Sequence, residues 1–341
     1  MIRRHPWRTT FALLLVILLG SAGVIGVMAR RGLEPVQNNQ RQQVVVTVGS
    51  NESLSNVVST LGRDHLVRSQ LFFQLYAEVK GLGSNLHPGK FILDRGMGPA
   101  ELLAVLEGPA AVLPIDVTVP DGLRAQQEAS LLQANGLFSA ASYIAQVRSG
   151  QFAGITQLSG APAGASWEGM AFGDTFQVSP NVSAQRLLQL QLQDFERRAA
   201  PSITAGAAKV GLTPYQVVVL ASIVEAEATT QKDRNLVAGV FFNRLHQGMP
   251  LQSDVTVLYA MAAAGQSSAP FSTTFPSPYN TYAHTGLPPG PIDSPGLSAI
   301  SAVLAPTATN YLYFVSLPNG KMLFAVTAAQ HQQQVQQAGL G

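Results

Sequence analysis

The chain has 341 residues, 46% of them hydrophobic and only 12% charged, with a formal net charge of +2 and no Lys/Arg cluster beyond its N-terminus. That balance supports compact units with ample core and argues against a nucleic-acid partner. It contains no cysteine, which excludes disulfides, thiolate metal sites, a cysteine nucleophile and a lipoprotein-type anchoring cysteine.

Arg3, Arg4 and Arg8 precede Phe11 to Ala29, nineteen residues without a charge, and Arg30 and Arg31 follow. As a helix this segment is roughly 28 Å long, close to a hydrocarbon core of roughly 30 Å and longer than the apolar region of a cleaved signal. The expectation is a cytoplasmic tail over residues 1–10, a transmembrane signal anchor over 11–29, a polar linker over 30–43, and everything beyond outside the cytoplasm. VVVTV at 44–48 reads as a strand, and Ser53 to Leu61 as a short helix. Ser69 to Lys80 reads as a second helix, capped by Ser69 and stopped by Gly81. Lys90 to Asp94 after a Pro-Gly turn and a helix opened by Gly98-Pro99 complete a β-α-α-β-α order, the size of a small glycan-binding module, over 44–112.

The second unit, 113–341, opens with a strand at Ile115 to Val119 ending in Pro120-Asp121-Gly122. Two helical stretches reach about Gln151, a loop-rich patch follows from Ala161 to Phe176 with Trp167, Glu168, Asp174 and Thr175, and a Gln/Leu/Arg helix starts at Ser183. Short strands are expected around Tyr311 to Ser316 and Met322 to Val326, and a polar helical tail over Gln330 to Gln337. The fold class is α+β, with a mainly helical second domain.

Thr213-Pro214-Tyr215-Gln216 is a helix start: Thr at the N-cap, Pro at the first helical position, Gln three residues after the cap. The helix it opens runs through VVVLASIVEAEA, apolar on nearly every face and therefore central, yet it carries Glu225 and Glu227. At 100° per residue Glu225 lies beside Ala221 and Val218, and Glu227 about 160° away beside Leu220 and Ile223, so the two acids do not share one site directly. One Glu is then the acid and the other is paired or at the surface. For Glu225, an ion pair with Arg234 or Arg244 weighs about evenly against catalysis as a general acid. Downstream, Gln252, Asp254, Tyr279, Asn280 and Tyr282 sit on rigid Pro/Gly turns, an arrangement suited to a sugar, because rings stack on pyranose faces and amides satisfy hydroxyls.

The order and spacing of these segments resembles the YceG-like, or MltG-like, family of endolytic murein transglycosylases. The resemblance runs through Leu220 to Glu225, Val237 to Phe241, Asn243-Arg244-Leu245, Leu251-Gln252 with Asp254, and Tyr279 to Tyr282. It continues through Thr285 to Gly290, Ser294-Pro295-Gly296 and Tyr311 to Phe314, with weaker echoes in Val119 to Gly122, Glu168-Gly169 and Asp174-Thr175. It implies an enzyme anchored in the inner membrane, carrying a LysM-like module, that cuts glycan strands at the β-1,4 bond after N-acetylmuramic acid and leaves a 1,6-anhydro end. It also implies Glu225 as the catalytic acid, with Gln252, Asp254, Asn280, Tyr282, Tyr279 and Glu168 at the substrate. Neither metal nor cofactor is implied, and the six histidines form no HExxH or other close pair. The implied partners are peptidoglycan strands and peptidoglycan synthases of the penicillin-binding type.

The chain departs from the family pattern at Val255 and Gly173, where proline is usual, and at Met322, Ala325 and Val326 around Phe324, where polar residues are common. Two other readings compete: a lysozyme-type hydrolase with Asp254, Glu168 or Asp174 as second carboxylate, and an inactive peptidoglycan-binding scaffold.

Overall fold

The computed structural model describes residues 26–36, 42–49, 52–81 and 86–339. Most of the expected membrane anchor lies outside them; 26–32 are helical. Among the described residues no single helix is long and apolar enough to cross a membrane. The chain divides into two compact units, Met1–Leu113 and Pro114–Gly341.

In the first unit β1 (Gln43–Val48) pairs antiparallel with β2 (Gly89–Asp94), from Gln43 opposite Asp94 to Val48 opposite Gly89. Three helices accompany them, α1 (Leu54–Arg63), α2 (Gln70–Lys80) and α3 (Pro99–Glu107), in the β-α-α-β-α order expected. Their ends follow from local chemistry. The hydroxyls of Ser53 and Ser69 accept from Asn56 N–H and Phe72 N–H, and Gly81 ends α2 at φ 86°, a left-handed conformation that glycine adopts without a Cβ clash. Val46, Leu61, Phe73, Phe91, Leu93 and Leu106 fill its core.

The second unit is helical around a buried centre. β3 (Ile115–Val119) pairs antiparallel with β4 (Asp174–Val178), so Asp174 to Phe176, expected in a loop, form a strand. The reason is tertiary: a five-residue strand with one buried side chain shows little periodicity until its partner is known. Helices α4 (Ala125–Ala134), α5 (Ala140–Ser149), α6 (Ala184–Arg198) and α7 (Ala200–Gly206) lead to α8 (Pro214–Glu227), which is followed by α9 (Gln231–His246) and α10 (Asp254–Ala263). Helix α11 (Leu297–Leu304), the hairpin of β5 (Tyr313–Ser316) and β6 (Met322–Ala325), and α12 (Ala328–Gln337) complete it. Every residue of α8 from Tyr215 to Val224 except Gln216 is buried, against α9 and α11 among others. An apolar helix of this length is enclosed by its neighbours, and α8 is over Val217 to Val224.

Candidate active site

Helix α8 begins with the capping box read from the sequence: Thr213 Oγ1 accepts Gln216 N–H at 3.2 Å, and Gln216 Oε1 accepts Thr213 N–H at 2.9 Å. This fixes the register, and the register sends the two glutamates in different directions.

Glu225 forms an ion pair with Arg234 of α9, whose Nε–H also donates to Ala228 O at 3.0 Å. The second carboxylate oxygen of Glu225 accepts the Gly296 N–H at 3.2 Å. Its side chain packs on Gly122, where a Cβ would lie 3.3 Å from Glu225 Cγ. Asp121 is beside it; a Cβ on Gly296 would lie 2.4 Å from one Asp121 carboxylate oxygen, and a Cβ on Gly173 2.6 Å from the other. Partial burial of the Asp121 carboxyl, with the Glu225 charge next, raises its pKa. Asp293, buried on the same loop as Gly296, is pushed well above the usual carboxylate range by burial, then by Glu225 and Glu168. The loop is pinned to α8 by Ser222, whose hydroxyl donates to Val219 O at 2.8 Å and accepts Ile292 N–H at 3.0 Å. Glu225 is thus the paired member of the two acids.

Glu227, at the last position of α8, opens on a groove of about 600 Å³. Its carboxylate accepts the Ser253 hydroxyl at 2.6 Å. Burial pushes its pKa up to about 7, against the opposing hydrogen bond from Ser253 and with the help of the Asp254 charge. Gln252, Asp254, Tyr282 and Arg244 line the same groove. The Tyr282 hydroxyl donates to Asp254, and burial followed by that carboxylate raises the tyrosine pKa.

Gln252 has φ 52°, left-handed backbone that costs a residue with a Cβ about 1–2 kcal/mol. Its neighbours hold it there: its N–H donates to Thr281 O at 3.0 Å, and the Ser253 N–H donates to Thr281 Oγ1 at 3.0 Å. Its side-chain oxygen accepts from Arg244 Nη1 at 3.0 Å. Arg244 is buried and also donates to Leu312 O, Pro250 O and Leu251 O.

Of the residues expected at the substrate, the structure brings Gln252, Asp254 and Tyr282 together with Glu227. Asn280 stands behind them, fully buried: its NH₂ donates to Thr273 O and Phe275 O, and its oxygen accepts Tyr282 N–H at 2.9 Å, so it shapes the turn that presents Tyr282. Tyr279 and Glu168 lie elsewhere. Tyr279 packs on Tyr259 with ring centroids 4.8 Å apart, and Glu168, buried, accepts Ala125 N–H at 3.0 Å and the Tyr259 hydroxyl at 2.6 Å, with its pKa raised by burial. Among the described residues no group of three or more His, Asp or Glu side chains is arranged to hold a metal ion.

The YceG-like family profile matches residues 46–337. This chain belongs to the YceG-like family. It is 30% identical over 328 residues to the endolytic murein transglycosylase of Bacillus subtilis, covering 92% of this chain and 89% of that protein. Identity is also 30% over 351 residues with the endolytic murein transglycosylase of Streptococcus pneumoniae D39, covering 95% of this chain; the chain spans 63% of that relative's length. The crystal structure of a YceG-like protein from Listeria monocytogenes superposes with a TM-score of 0.57 at 26% identity, over 86% of this chain and all of that one. The sequence of this YceG-like chain marked Glu227 and Arg244 without their surroundings; the structure adds Ser253 and the β5 strand to the groove region beside them. The signal available was two acids on opposite faces of one apolar helix; which face opens on a groove is not a property of that helix alone.

Proposed function

We propose that this YceG-like chain is an endolytic murein transglycosylase, a lyase that cuts the MurNAc-β-1,4-GlcNAc bond within glycan strands and leaves 1,6-anhydro-MurNAc ends. One observation carries the mechanism: a carboxyl group with its pKa near 7, Glu227, in a groove shared with Gln252, Asp254 and Tyr282. Burial favours the protonated form of such a group, the condition a general acid needs. Glu227 donates its proton to the glycosidic oxygen as the C1–O bond breaks. The C6 hydroxyl of the same muramic acid attacks C1, and the carboxylate takes up the hydroxyl proton, so one residue is regenerated and no water is consumed. Glu225 was the acid implied by the sequence resemblance; its ion pair with Arg234 favours a positioning role, holding Gly296 and α9 against α8.

Asp254 in the same groove supports a second reading, hydrolysis with two carboxylates. A digest of purified glycan strands, with products resolved by length and end group in the mass spectrometer, tests both. Transglycosylation gives products one water lighter than hydrolysis does. Binding to sacculi with no change in strand length would support the inactive-scaffold reading instead.

For the rest of the chain we infer that residues 11–29 anchor it in the inner membrane with the N-terminus in the cytoplasm, that the β-α-α-β-α unit is a LysM-like glycan-binding module, and that the chain works beside peptidoglycan synthases. The nineteen uncharged residues between arginines support the anchor.

A further inference from the structure

We propose that the outer edge of β5 is a subsite for the short peptide that murein carries on its muramic acid, an inference that rests on the reading of the groove given above. Four consecutive residues of this strand, Tyr313, Phe314, Val315 and Ser316, line the same groove as Glu227. Successive side chains of a strand point to opposite faces, so a groove that touches all four meets the strand along its backbone edge.

The other edge is occupied by β6, with Val315 opposite Leu323 and Ser316 opposite Met322. Just beyond the strand, Leu317 N–H donates to Lys321 O at 2.8 Å, which makes Leu317 and Lys321 a hydrogen-bonded pair. By the antiparallel alternation Val315 and Leu323 are the next such pair, and Phe314 and Ser316 turn their N–H and C=O groups away from β6 toward the groove. An unpaired edge of this kind accepts an extended peptide as an added strand, with backbone hydrogen bonds supplying the affinity.

The groove itself identifies the occupant. Muramic acid bears its peptide on the sugar whose glycosidic bond is broken, so a strand seated with its scissile oxygen at Glu227 delivers the peptide into the same groove. The edge is about 13 Å long, the span of four extended residues. At its head Arg244 donates to Leu312 O at 2.6 Å and lies 4.9 Å from the centre of the Tyr313 ring. Arg244 is buried there and also donates to Pro250 O, Leu251 O and Gln252 Oε1, which fixes the head of the edge in place.

The test assays the full chain on glycan strands of one length, either with peptides intact or after amidase removal of the peptides. kcat/KM is expected to be at least about tenfold higher on the peptide-bearing strands, the order that two added hydrogen bonds supply. Ser316→Pro removes one outward N–H without touching a ladder bond, and should lower the ratio of the two kcat/KM values by about threefold, the share of one of the two hydrogen bonds. In case that variant does not fold, competition is read on the unaltered chain: free tetrapeptide of the murein type should inhibit cleavage of peptide-bearing strands. Equal kcat/KM on the two substrates, a ratio that survives the proline in a folded variant, or absence of competition would each overturn the peptide subsite. Cleavage of neither substrate would overturn the functional reading beneath it.

Discussion

At the scale of single residues, the two glutamates of α8 have different partners: Glu225 pairs with Arg234 and Glu227 accepts the Ser253 hydroxyl. Burial outweighs the stabilising Ser253 hydrogen bond and pushes the Glu227 pKa up to about 7. Glu227→Gln should retain the fold and lower glycan cleavage by about 10²–10⁴-fold, the usual contribution of a general acid. A well-folded variant with undiminished cleavage would remove Glu227 from the mechanism. In the unaltered chain kcat should fall above about pH 7 as this acid ionises, which a pH-rate profile reads directly. Arg234→Gln, by contrast, strands Glu225 at a site where its side chain is 11% exposed. It should cost about 3 kcal/mol of stability, the penalty of breaking a largely buried pair, measured by chemical denaturation. Gln252 tests substrate contact separately. Asn tolerates left-handed backbone but is one carbon shorter, so Gln252→Asn should raise KM several-fold, about one lost hydrogen bond, and lower the denaturation midpoint through the lost Arg244 contact.

At the scale of elements, the loop that carries Asp293 and Gly296 is held by contacts that leave no room for a side chain. Gly296 has φ −75°, so backbone strain does not require glycine there; the requirement is space, because its Cβ would lie 2.4 Å from an Asp121 oxygen. Gly296→Ala should therefore displace Asp121 or the Gly296 N–H from Glu225, and reduce both melting temperature and cleavage. A crystal structure of the variant with both contacts intact would contradict this. The turns on the far side of α8 work likewise: Thr281 fixes Gln252 and Ser253, and Asn280 fixes Tyr282, so residues that never face the groove set the positions of those that do.

At the scale of the whole molecule, stability is linked to pH through a second buried carboxyl. Glu128 of α4 is fully enclosed, accepts the Tyr143 hydroxyl at 2.6 Å and the Gln191 amide, and is pushed by burial to about pH 7. A carboxyl whose folded pKa exceeds its unfolded value binds more protons when folded, so stability is greatest below the unfolded value and falls as pH rises to the folded one. From about pH 4.5 to pH 7 the contribution of Glu128 should fall by roughly 3 kcal/mol, and Glu128→Gln should make that part of the stability curve shallower, leaving the share that Glu227 sets. Equal slopes in the two proteins would show that Glu128 does not set it.

Much of this architecture is local and so was readable along the chain. Ser53, Ser69, Ser183 and Thr213 cap helices where their hydroxyls meet the first free N–H groups, and Gly81 stops one, because capping is an interaction over three residues. The apolar run of α8 announced a central helix, and its register announced that Glu225 and Glu227 face apart. Strand β4 was not readable, since its pairing partner lies more than fifty residues earlier. Nor were the partners of the two acids. Whether a carboxylate meets a guanidinium or a hydroxyl at a groove depends on which distant elements pack beside it, here α9 against Glu225 and the turn at Ser253 against Glu227. Sequence alone determined that one apolar helix carries two divergent acids. Only the tertiary structure decided that Glu225 meets Arg234 and that Glu227 meets the Ser253 hydroxyl beside a groove, because those partners come from distant elements that pack against the helix.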